Sequence, residues 1–246
     1  MKGYSVEDFD NPDNDFNSSD QQKGISPPPL QKENMRSDAL IIPLPEFSET
    51  ILSESNIMHV IKRRRSRRRY KETPLSMQEI SYLLWATQGV EGADQNREWM
   101  IRTVPSAGAR HPYETYLIVN WVDDLEKSVY RYLPLTHELL FMSKKSDTRE
   151  KVYFASYKED FVADAPVCFV WSCIPYRGEW RYNSKAHKSM LLDAGHICQS
   201  LYLSAESINC GTCAIGGYHQ QGFDNLLDLD GVDEFTVYLA AVGKVK

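Results

Sequence analysis

Apolar positions along this chain change their period from segment to segment, and each change marks an element. Up to residue 38 there is no period: the stretch is rich in Asp, Asn, Ser and Gln and contains Pro27-Pro28-Pro29. Residues 1–38 are therefore expected to form an arm, disordered or draped over the surface, and residues 39–246 the folded domain. After Ser53, the spacing of Ile57, Val60 and Ile61 predicts a helix that runs into a basic stretch and cannot pass Pro74. If that helix continues, Arg64 and Arg68 fall on its inward face. Ser76 opens a second helix with Glu79 placed for a capping box, and Ile80, Leu83 and Leu84 form its apolar stripe up to Gly89.

The pattern then shortens. Residues 113–122, 128–133 and 138–142 are short, aromatic and β-branched with turn-like breaks, which predicts a meander. A helix is expected before Pro166, a buried strand over 166–173, and the longest helix over about 184–207. A Gly-rich turn and a strand over 234–242 close the chain. Helices clustered around a mostly antiparallel sheet, without βαβ alternation, make the fold class α+β.

Composition narrows the function classes. With 246 residues, 42% of them hydrophobic, the chain can bury one full core. No apolar run approaches the roughly 20 residues that span a bilayer, and residues 1–20 lack an apolar signal core. No membrane contact and a cytoplasmic location are the expectations. Five cysteines, an odd number, fit reduced thiols better than a disulfide framework.

Charge is where the chain departs from average. Its net charge is −6, yet seven of its 28 lysines and arginines are Lys62, Arg63, Arg64, Arg65, Arg67, Arg68 and Arg69. An acidic protein is not built to coat nucleic acid, so the cluster calls for a local anion. Arg64 and Arg68 around the Ser66 hydroxyl offer forked donors suited to a phosphate. A solvated patch or a targeting run stays open on the cluster alone.

Two further segments carry candidate chemistry. In Pro105-Ser106-Ala107-Gly108, small residues let the backbone approach a flat ligand, although an ordinary loop before a strand reads the same way. Cys210 and Cys213 have C-x-x-C spacing, but they follow a helix and lead into Gly216-Gly217, the reverse of a redox motif's context. No second pair of ligands completes a zinc site, so no metal is expected.

In this order the segments resemble the flavin-dependent nitroreductase family. Leu83-Leu84-Trp85-Ala86-Thr87-Gln88-Gly89-Val90, Pro105-Ser106-Ala107-Gly108 and Asp193-Ala194-Gly195-His196 resemble more narrowly its azoline-dehydrogenase branch, which forms thiazoles and oxazoles. The resemblance implies a helix–sheet–helix sandwich, a homodimer with FMN at the interface, and NADH or NADPH as electron donor to a small nitroaromatic, quinone or similar acceptor. It implies that Arg64, Arg65, Ser66 and Arg68 hold the phosphate and ribityl side of FMN. Pro105, Ser106, Ala107 and Gly108 would line the ring edge, and Ala214, Ile215, Gly216 and Gly217 would bring amides to flavin N5. Arg63, Arg67 and Arg69 are then expected as a solvated rim.

The chain departs from the family at two places. Lys244 and Lys246 alone are left to close on the phosphate, and Arg181-Tyr182 stands where the branch has Lys-Tyr. Arginine is a poor base, so nitroreductase-like chemistry is less penalised than azoline oxidation with O₂ as oxidant. A non-catalytic flavin- or nucleic-acid-binding protein is the rival from another class.

Overall fold

The computed structural model describes residues 18–33, 39–94, 99–143 and 147–245. Its strands are β1 (Ile41–Pro43), β2 (Val90–Ala93), β3 (Met100–Arg102), β4 (Tyr113–Val119), β5 (Ser128–Leu133), β6 (Glu138–Ser143), β7 (Val167–Cys173), β8 (Cys210–Ile215) and β9 (Phe235–Lys244). The helices are α1 (Ile57–Arg63), α2 (Met77–Gln88), α3 (Thr148–Ala155), α4 (Asp160–Ala163), α5 (Tyr176–Tyr182), α6 (Ala186–Ser207) and α7 (Gln220–Leu226). None is long and apolar enough to cross a membrane among the described residues.

One seven-stranded sheet, ordered β1-β6-β5-β4-β7-β9-β8 and antiparallel throughout, divides the domain. Its side chains alternate between two cores with the period of two that a strand imposes. Leu117, Val119, Phe169, Trp171, Ala240 and Val242 face one core, where α2 and α6 pack. Tyr116, Ile118, Cys168, Val170, Leu239 and Ala241 face the other, covered by α3, α4 and α7. The sandwich and the α+β class stand as the sequence predicts. The Ser76–Glu79 capping box is also present.

Two expectations are corrected. Helix α1 stops at Arg63, and Arg64 already has an extended ψ of 123°. The next residues find backbone partners at the sheet edge instead: Ser66 bridges Thr212 in parallel, and Arg67 N–H donates to the Thr212 carbonyl at 2.9 Å. Only Val60 of the expected helical face is buried; Ile57 and Ile61 are 56% and 57% exposed. The expected turn after the long helix also begins with a strand, β8, which ends the sheet.

Residues 18–33 lie against the body. Trp180 Nε1 donates to the Ile25 carbonyl at 2.8 Å, Arg177 Nε to Pro29 at 2.8 Å and Arg102 Nη2 to Leu30 at 3.1 Å. These donors are buried, so each needs a partner, and the backbone carbonyls of Ile25, Pro29 and Leu30 supply them.

Candidate active site

Once the basic segment is extended, its side chains alternate. Arg64 and Ser66 point one way because the strand period brings every second residue to the same side. Tyr202 of α6 is the node they meet. Its hydroxyl bonds Ser66 Oγ at 2.9 Å and accepts the Ala214 N–H at 2.8 Å, while the Arg64 guanidinium lies 5.3 Å from its ring centroid. Arg68 rests 5.7 Å from the Phe161 ring. Both cations sit on aromatic faces, an attraction that leaves their N–H groups free for an anion.

The expected rim divides. Arg63 Nε reaches Glu206 at 3.2 Å and Arg67 Nη2 at 3.8 Å, so this one buried carboxylate pairs with two of the arginines. The stem of Arg67 packs over Gly211, where an added Cβ would stand 2.7 Å from Arg67 Cβ. Arg64, Arg65, Arg68 and Arg69 pair with no carboxylate among the described residues. Lys244, expected to close on the phosphate, has its ammonium paired with Glu79 of the capping box. Lys246 lies outside the described residues.

At the end of β8 the expected four-residue turn also divides. Ala214 has given its N–H to Tyr202, and Ile215 is buried in the second core. Gly216 and Gly217 remain, with amides that donate to no group among the described residues. A Cβ added at Gly217 would meet nothing within 4 Å, and one at Gly216 only Tyr238 at 4.0 Å. Cys210 and Cys213 are buried, free and an odd number of residues apart on one strand, hence on opposite faces. Burial pushes the Cys210 thiol up to about 12 and the Cys213 thiol upward, which suits inert thiols.

The small-residue loop is tied to the middle of α6. Ser106 Oγ donates to Asp193 at 2.6 Å, the Ala107 N–H reaches the same oxygen at 3.3 Å, and His111 N–H donates to Ser106 Oγ at 3.0 Å. Burial raises the Asp193 carboxyl above its usual range despite these donors. Gly108, at φ 62°, is roofed by the sequence-predicted pair: a Cβ there would lie 2.5 Å from Tyr182 Oη and 3.0 Å from Arg181 Cδ. Arg181 itself stacks over the Tyr182 ring at 5.4 Å.

Asp193 and Tyr202 thus anchor two separate groups of candidate residues. Nine helical residues separate them, which is ~14 Å along α6 and about half a turn around it. Between the two edges lies the solvent face of α6, with Leu192, Gly195, His196 and Gln199 exposed. Sequence patterning missed Tyr202 and Glu206 because each is defined by partners in the basic segment more than 100 residues distant, Ser66 for Tyr202 and Arg63 for Glu206.

The nitroreductase-family sequence profile matches residues 61–244. The chain belongs to the nitroreductase family. It is therefore an oxidoreductase of that family. A predicted nitroreductase of Methanocaldococcus jannaschii is 30% identical over 207 residues, 84% of this chain and 98% of its own length. A crystal structure of a predicted nitroreductase from Anabaena variabilis superposes with a TM-score of 0.72 at 24% identity, over 88% of this chain and 43% of that one. The Escherichia coli microcin synthetase complex with truncated pro-MccB17 contains a chain of the same fold, at TM-score 0.62 and 19% identity, over 88% of this chain and 79% of that one. A nitroreductase-family structure in complex with FMN, from Desulfovibrio desulfuricans, matches at TM-score 0.53 and 18% identity over 78% of this chain and 87% of that one.

FMN fits the donors that this nitroreductase-family chain presents. A phosphate needs unpaired cations, and Arg64, over the Tyr202 ring, is followed by Arg65, Arg68 and Arg69, none of which pairs with a carboxylate among the described residues. A flat ring needs open backbone, and Gly216 and Gly217 provide amides beside space that a side chain would fill.

Proposed function

We propose that this protein is an FMN oxidoreductase that uses NADH or NADPH to reduce a nitroaromatic, quinone or similar small acceptor, and that it works as a homodimer. The observation that carries the reading is Arg64 and Ser66 gathered at Tyr202, within a run of arginines that pair with no carboxylate, ahead of two free glycine amides. Arg64, Arg65, Ser66 and Arg68 hold the phosphate and ribityl side, and Gly216 and Gly217 face the ring. Bound FMN supplies the acceptance and return of hydride. The surrounding cations favour the anionic reduced state.

The division of the site supports the homodimer. A ring lying against Gly216 cannot also touch Ser106 to Gly108 of the same copy, because α6 stands between them. A two-fold axis through the exposed face of α6 brings the Asp193 edge of one copy beside the Tyr202 edge of the other. Pro105, Ser106, Ala107 and Gly108 then serve the partner's flavin. Arg181 and Tyr182 travel with that loop, where the cation orients an electron-rich acceptor.

The test is the absorption spectrum of the purified or FMN-loaded protein. A flavin spectrum bleached by NADH or NADPH and restored by a nitroaromatic or quinone supports the reading; a protein that retains no FMN after loading ends it. A monomer in solution at full FMN occupancy would end the shared-site arrangement.

A further inference from the structure

A cavity of about 420 Å³ lies where α5, the first turns of α6 and the end of the sheet meet. Its walls are apolar: Tyr113, Cys173, Met190, Leu191, Phe235 and Val237. One polar pair interrupts them, His187 Nε2 hydrogen-bonded to Glu179. The His187 side chain is 18% exposed and the Glu179 side chain 34% exposed, so the pair joins the cavity to solvent.

The cavity is built rather than left over. Gly178 lets α5 approach α6, since a Cβ there would stand 2.6 Å from Met190 Cε. Tyr113 Oη donates to the Met190 carbonyl at 2.8 Å. Val237 is the extra residue of a bulge in β9, between Thr236 opposite Ser172 and Tyr238 opposite Trp171. The bulge turns Val237 and Tyr238 toward the same core, a device that re-aims side chains beside functional sites. At the rim, Val232 is held by a turn in which Asp230 Oδ1 accepts the N–H groups of residues 232, 233 and 234 at 2.8 to 3.0 Å.

Its position links it to the candidate flavin site. His187, Leu191, Cys198 and Tyr202 are spaced 4, 7 and 4 residues apart on α6, so they share one edge of the helix. The cavity is the N-terminal continuation of the Tyr202 edge, and Val237 in its wall precedes Tyr238, the residue nearest to an added Cβ at Gly216.

The geometry points to His187, oriented by Glu179, as the group that delivers the proton to an uncharged flat X=O acceptor, of carbonyl or nitro type, seated in this cavity. The inference rests on the flavin reading above and deepens it. Reduction of X=O breaks one π bond and needs two electrons and two protons. Hydride from reduced FMN supplies both electrons and one proton, the His187 imidazolium supplies the other to the oxygen, and solvent reprotonates the ring by way of Glu179. Arg181, which cannot release a proton at neutral pH, is left with orientation alone.

Two readouts test it. In FMN-free protein, 1-naphthol, whose hydroxyl stands in for the reduced oxygen, is titrated by its fluorescence. His187→Gln should weaken binding about fivefold to tenfold, the effect of one hydrogen bond, and Leu191→Trp should abolish it by filling the cavity. In the FMN-loaded enzyme, the rate with a quinone, which must take up protons, is compared with that for ferricyanide, which takes only electrons. His187→Gln should lower the quinone-to-ferricyanide ratio by 10²-fold or more, the usual scale of general-acid catalysis. An unchanged ratio, or naphthol binding indifferent to both substitutions, overturns the proposal. A wild-type protein that takes up no FMN overturns the functional reading and this proposal together, whereas a flavin-loaded wild type with an unchanged variant ratio overturns this proposal alone.

Discussion

Ser106 donates its hydroxyl to Asp193 at 2.6 Å, and this bond fastens the small-residue loop to the middle of α6. The carboxyl is buried, so the donor matters to stability as well as to position. Ser106→Ala should destabilise the protein by about 1–3 kcal/mol, the usual cost of leaving a buried polar group short of a partner. A urea midpoint that falls with an unchanged slope would bear this out. The Asp193 carboxyl should rise further, since Ser106 is the first of the groups that hold it down.

Gly108 is restricted twice, by its φ of 62° and by the Tyr182 hydroxyl above it. Gly108→Ala should cost about 1–3 kcal/mol through strain and contact together. Adding Tyr182→Phe should recover the contact share and leave the backbone share, because the hydroxyl oxygen is the nearest atom. Additive effects in the double-mutant cycle would show that the two residues do not meet in solution.

The arginines should separate by assay. Arg64→Ala removes a charged donor from the Tyr202 edge and should weaken FMN binding by roughly tenfold to a hundredfold, with little loss of stability. Arg63→Ala leaves buried Glu206 with less compensation and should lower the unfolding midpoint while FMN binding holds. Equal effects of both substitutions on FMN affinity would contradict this division.

His111 sets a pH dependence. Burial, with Arg102 adding to it, lowers its pKa to about 3, and Nε2 contacts the Met100 carbonyl at 2.8 Å. The unfolded chain takes up the proton near the ordinary value of 6.5 and the folded chain does not. Stability is therefore present above about pH 6.5 and declines as pH falls toward 3, by up to about 1.4 kcal/mol per pH unit. His111→Gln should flatten the thermal midpoint across that window.

Local pattern carried much of the fold. The capping box at Ser76, the meander and the long helix α6 follow from short-range chemistry, since caps and periodicities depend on residues a few positions apart. The α+β class follows from their order, and the resemblance in the motifs supplied the sandwich and the family. Short elements such as β1, α5 and α7 were not legible, because three to seven residues carry too little periodicity to stand out.

The fate of each charge was a tertiary matter. The same sequence of arginines can be a helix face or an extended edge, and the free backbone groups of Thr212 decided for the edge. Glu206 then took Arg63 and Arg67, and Glu79 took Lys244. The sequence by itself determined that cations and glycines of a nitroreductase-family chain are present in the right order. Which cations stay unpaired, which amides stay free, and which side of α6 each faces depended on partners far along the chain, because hydrogen bonds and ion pairs are satisfied in space rather than in sequence.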